Sequence, residues 1–121
     1  MMKTENGKII STYLGEDHGC LTANLVIEGD CWVCEYGDYV LGYWSNSYKK
    51  TAGVEAIVAL LTTLDIKQWE DLPGTYVRIC VESSEGRILK IGHIFKDRWF
   101  SFEDYFELVR DAEKKEHDGN G

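Results

Sequence analysis

Apolar and polar residues alternate along much of the first third of this chain. Leu21, Ala23, Leu25 and Ile27 fall on one side, with Thr22, Asn24 and Glu28 on the other. That period of two marks a half-buried β-strand. Residues 8–14 alternate more loosely and predict a strand before it, ended by Gly15, with Glu16-Asp17-His18-Gly19 as the tight turn between the two. Glu28-Gly29-Asp30 predicts a second hairpin turn, because Gly and Asp accept positive φ. Residues 31–41 predict a third strand, with a bulge or close backbone approach at Gly37.

The period then changes. After a polar, aromatic-studded stretch over 42–50, Val54, Ile57, Val58, Leu61 and Leu64 recur at helical spacing, with Thr51 as a candidate N-cap. A short helical turn at Trp69 precedes Leu72-Pro73-Gly74, whose Pro-Gly pair redirects the chain. Strands are predicted over 75–82 and 87–95, joined by the hairpin loop Ser83-Ser84-Glu85-Gly86. Arg98-Trp99-Phe100 adds a short strand after the turn Lys96-Asp97. Ser101 reads as an N-cap with Asp104 in the first helical turn, and Phe102, Tyr105, Phe106 and Val109 form a second apolar stripe. The order β-β-β-α-β-β-α predicts an α+β fold: an antiparallel sheet of five or six strands with two helices mainly on one face. Polar residues 1–7 and 116–121 are expected to be flexible ends of a single domain over 8–115.

Composition narrows the functional classes. With 44% apolar residues in 121, the chain can bury one core without staples. Its 13 basic against 21 acidic residues, a net −8, argue against direct nucleic-acid binding and against docking on anionic lipid. The same balance suits a partner with a basic surface, or imitation of nucleic acid on one. Apolar runs such as Ile57-Val58-Ala59-Leu60-Leu61 fall far short of the ~18 residues of a membrane span. The first residues lack the apolar stretch of a signal peptide, so cytoplasmic residence and reduced cysteines are expected.

Candidate chemistry is sparse. Cys31-Trp32-Val33-Cys34 has C-x-x-C spacing, but Cys20 and Cys80 stand alone, and strand positions three apart face opposite ways. Packed, reduced cysteines are therefore expected, with no metal and no cofactor. Asp17-His18 offers an acid–base pair that His93 joins only if the strands converge. Asp17, His18, Gly19 and His93 are the candidate ligand-binding set, and no residue is assigned a catalytic role. Trp32, Tyr36, Tyr39, Tyr43, Trp44 and Tyr48 crowd together with Asp30, Glu35 and Asp38. That mixture of aromatic anchors and rim acids is a candidate partner-binding surface, with core packing and ligand stacking as the other readings.

Leu14-Gly15-Glu16-Asp17-His18-Gly19-Cys20-Leu21-Thr22 is similar to an L-G-x-E-D-H-G-x-L-T segment of a family of small phage- and prophage-encoded proteins. The stretches from Trp69 to Arg78 and from Ile91 to Phe100 resemble that family too, so the likeness covers roughly residues 8–100. The chain departs from it where Cys31, Val33, Cys34 and Glu35 occupy a stretch that is glycine-rich in the family, and from Ser101 onward. The resemblance implies a phage setting and no particular activity. Together with the acidity it leads to an expected non-enzymatic phage accessory protein, of the anti-CRISPR kind. Such a protein would bind and inhibit a host defence component, either a protein or a protein–nucleic acid complex with a basic surface. The acids over 28–38 and 103–118 would face that surface. A small-molecule binder that sequesters a nucleotide signal is the alternative, and a small enzyme using His18 and Asp17 comes third. A homodimer is left open.

Overall fold

The computed structural model describes residues 2–43, 53–82 and 86–119, and only the backbone of Tyr43 and of residues 113–119. These residues form β1 (Met2–Asp17), β2 (Cys20–Gly29), β3 (Trp32–Tyr43), α1 (Gly53–Leu64), a 3-10 turn at Trp69–Asp71, β4 (Tyr76–Glu82), β5 (Arg87–His93), β6 (Trp99–Phe100) and α2 (Phe102–Gly119). The strands make one six-stranded antiparallel sheet in the order β3-β2-β1-β4-β5-β6. The α+β class and the element order are therefore as expected. Thr51, Trp44, Tyr48 and the loop over 83–85 lie outside the described residues.

The start of the chain differs from expectation. Residues 2–7 are not a loose lead; they are the half of β1 that pairs with β4, from Met2 opposite Glu82 to Gly7 opposite Val77. Polar side chains are no obstacle there, because the ladder uses only the backbone. Only Gly7 and Ile9 turn a buried face to the core on that half. At the other end α2 runs on to Gly119, beyond the expected boundary at Lys115.

From Lys8 to Asp17, β1 pairs with β2 instead. The change of partner falls at Ile9, whose N–H donates to the Thr75 carbonyl at 2.9 Å and whose carbonyl accepts from Gly74 at 2.7 Å. A bulge between Ile9 and Ser11 follows at once. Beyond it, β1, β2 and β3 continue as a three-stranded ribbon. The expected bulge at Gly37 is present: the β2–β3 register slips there, with Gly37 at φ 135° and Asp38 at φ 67°.

One face of the sheet holds the core. Ile9, Ala23, Leu25, Ile27, Val77, Ile79 and Ile91 from the strands meet Ala56, Leu60, Leu64, Leu72 and Phe102. The buried face of α1 is not the expected stripe. Gly53, Ala56, Leu60 and Leu64 point inward, whereas Val54 and Val58 are exposed. This helix is apolar almost all round, so periodicity alone does not choose its face. Close approach does: a Cβ on Gly53 would lie 2.0 Å from the Leu41 carbonyl oxygen.

α2 is seated by aromatic rings. Ser101 caps it as expected, its Oγ accepting from the Asp104 N–H at 3.2 Å. Phe102 stacks on Tyr39 at 5.4 Å and meets Phe100 edge-on at 4.9 Å. The buried Tyr36 hydroxyl accepts from the Phe102 N–H at 3.0 Å, closing one of the orphan donors of the first helical turn. Burial pushes the Tyr36 phenol up, the Phe102 N–H pulling slightly the other way, so it stays protonated through the physiological range. Tyr36→Phe should leave that amide buried without a partner and cost about 1–2 kcal/mol. Urea unfolding of the two proteins measures it, and equal midpoints would remove the hydroxyl from this account.

Candidate functional site

The two sets of residues singled out by the sequence are not assembled as expected. His18 and Gly19 are the two residues of the β1–β2 loop, both at positive φ (51° and 82°), between the paired Asp17 and Cys20. This is the primed hairpin turn that matches strand twist. Glu16 braces it, its Oε1 accepting from the Gly19 N–H at 2.8 Å. His18 Nδ1 meets Asp17 Oδ1 at 2.8 Å, with the imidazole 93% exposed. Among the described residues no wall orients that pair toward a substrate position. Gly19→Ala has space, since nothing lies within 4 Å of the added Cβ, so only the left-handed backbone resists it. A loss of about 1 kcal/mol is expected in thermal or denaturant unfolding.

His93 does not join this turn. In the register Gly7–Val77–His93 it lies level with the first half of β1, ten residues before Asp17 along that strand. It belongs to a different cluster, which the sequence did not announce. His93 Nδ1 accepts from the Phe95 and Lys96 amides, both at 3.0 Å, which leaves the ring proton on Nε2, 3.3 Å from Asp65 Oδ2. The same Oδ2 takes Lys96 Nζ at 2.8 Å and Arg98 Nη2 at 2.7 Å. Arg78 adds bonds to the carbonyls of His93 at 2.8 Å and Lys96 at 2.6 Å, and its guanidinium lies over Trp99.

Asp65 is a costly residue at its place. It sits just past α1 at φ 58°, with Asp65 N–H bonding to Thr62 and Ile66 N–H to Leu61, a helix stop that usually takes glycine. An acid there also opposes the helix dipole. Three donors on one carboxylate oxygen offset both terms and tie α1 to the β5–β6 loop. The Lys96 bond, against some desolvation and with help from Arg98, lowers the Asp65 carboxyl below its ordinary 3.8. A lowered acid stabilises fully above its ordinary value, and the contribution is lost as pH falls through the lowered one. Asp65→Asn should therefore lower the thermal midpoint at pH 7, with the gap to the parent closing as pH falls below the ordinary carboxylate range. A pH-independent gap would contradict this.

The aromatic and acidic set splits by face. Tyr36, only 4% exposed, is a packing residue and not a surface anchor, while Trp32 and Tyr39 pack against the core and remain partly exposed. Of Tyr43 only the backbone is described. Asp30, Glu35 and Asp38 are exposed. Glu35 and Asp38 share the outer face of the ribbon with Asp17, around a groove of about 200 Å³ floored by Thr22, Asn24 and Val26. Tyr13 and Ser11 form its other wall. Asn24 Nδ2 donates to Asp38 at 2.9 Å and to Glu35 at 3.4 Å. Small-molecule sites commonly take ~300 Å³ or more, so this groove suits a single cationic side chain better than a nucleotide.

Charge makes this face distinct. Between Ile9 and Tyr43 the chain has six acids (Glu16, Asp17, Glu28, Asp30, Glu35 and Asp38) and neither Lys nor Arg. All six are exposed. The β4–β6 side carries Arg78, Arg87, Lys90, Lys96 and Arg98. The four cysteines are free, and among the described residues no group of His, Cys, Asp and Glu is placed to hold a metal ion. No described helix is long and apolar enough to cross a membrane. No family model, no curated protein and no solved structure matches the chain.

Proposed function

We propose that this chain is a non-catalytic binding protein whose acidic β1–β2–β3 ribbon docks on a basic surface of a host protein or protein–nucleic acid complex. In the setting that the phage-like segments suggest, it acts as an inhibitor of a host defence component, of the anti-CRISPR kind, in the bacterial cytoplasm. The observation that carries this reading is the unbroken acidity of residues 9–43 on an exposed ribbon. A fixed array of like charges on strands steers a basic partner and fixes its register, and it repels acidic competitors. The groove of Asp17, Glu35 and Asp38 then receives one partner Lys or Arg.

The test is affinity capture from a bacterial host lysate with the parent chain and with Glu28→Lys/Glu35→Lys/Asp38→Lys. All three positions are exposed, but Asp38 sits at φ 67° and accepts with Glu35 from Asn24. Urea unfolding of the variant is therefore measured beside the parent, and capture is compared where both are folded. A specific host protein should be retained by the parent, released by rising salt within the range where exposed charges are screened, and lost by the variant. Capture that is indifferent to the triple charge reversal would refute the docking face, and no retained protein would count against the reading as a whole.

A further inference from the structure

Beyond the acidic face itself, the structure assigns to the ribbon a mode of engagement: strand addition along the free edge of β1 by an extended partner segment that alternates basic and apolar residues. This inference rests on the basic-partner reading above and specifies how that partner is held.

The edge follows from the division of β1 between two neighbours. Residues 2–8 pair with β4 on one side, and β2 takes the other side from Lys8 onward. The Gly74 and Thr75 backbone bonds to Ile9 end the β4 side. Over residues 11–17, β2 is the one strand paired with β1 among the described residues. A strand edge of that length is a template for another chain where its outward N–H and C=O groups lack ladder partners, although the Glu16 carbonyl near its end already accepts from the Tyr13 hydroxyl at 2.6 Å. A segment laid there would extend the position that β4 occupies further along.

The side chains bordering this edge select the occupant. On the outer face Tyr13 is 50% exposed and Asp17 lies beside the groove of Glu35 and Asp38. On the core side Leu14 is 41% exposed, at the margin of the apolar face. Side chains of an added strand alternate between these two environments. Cationic residues would point to the groove and apolar ones to Leu14, which gives pockets for specificity on a backbone-held strand. A second copy fits poorly, since it would bring Glu16 and Asp17 and another wholly acidic ribbon against the first.

The probe is a ten-residue peptide of alternating lysine and valine, compared with the same peptide N-methylated along its whole backbone and added to the full chain. The unmodified peptide should bind at least tenfold more tightly than the methylated one and should slow amide exchange at alternate positions over 11–17. Equal binding by both peptides, with no protection at 11–17, overturns strand addition while leaving the acidic docking face intact. Failure of the unmodified peptide to bind, or binding that survives Glu28→Lys/Glu35→Lys/Asp38→Lys, overturns both. A peptide-free dimer that buries 11–17 in sedimentation and exchange measurements also overturns the assignment, since the edge would belong to a second copy.

Discussion

The ladder of β1 is shared between two strands, and most of what distinguishes this protein depends on that division. Each strand has two edges and each edge one set of backbone partners. By spending residues 2–8 on β4, the chain joins its first hairpins to its last ones and closes a core beneath them. By then leaving residues 11–17 to β2, it carries a three-stranded ribbon past the end of β4. The handover at Ile9, fixed by two backbone bonds to the Gly74–Thr75 turn and followed by a bulge, marks where β4 leaves β1, while the core continues beneath β2 and β3.

Charge is unevenly divided too. Residues 9–43 hold acids and neither Lys nor Arg, while the β4–β6 side concentrates cations around Asp65 and Trp99. Those cations are largely committed. Lys96 and Arg98 share one carboxylate, and Arg78 and Lys90 both lie over the Trp99 ring at 4.8 Å. The acids of the ribbon have fewer internal obligations. The molecule is thus electrically polarised along its sheet.

Much of the fold was legible because the relevant signals are local. The alternation in β2, the bulge at Gly37, the cap at Ser101 and the element order each rest on a few adjacent residues. What was hidden depends on distant partners. Residues 2–7 look like a frayed end until β4 arrives to pair with them. Tyr36 and Tyr39 look like part of an interface until α2 packs on them, because alternation separates two faces without saying which is buried. Of the candidate site, the acids Asp17, Glu35 and Asp38 were named, but their meeting around Asn24 depends on strand register. Asp65 gave no signal at all, since its donors come from a loop some thirty residues away.

The pairing of Gly7 with Val77 also sets an order of events. The β1–β2 and β2–β3 hairpins are local and can close as soon as their turns are made, whereas residues 2–8 must remain without their β4 partner until most of the chain has emerged from the ribosome. Distant pairings of this kind form late and slow folding, since the closure entropy of the intervening chain is lost before any contact compensates it. The acidic ribbon can thus be assembled early, while the core beneath the sheet waits for the last strands. In this protein the most acidic surface is built from its shortest-range contacts, and the core that anchors it is completed by its longest.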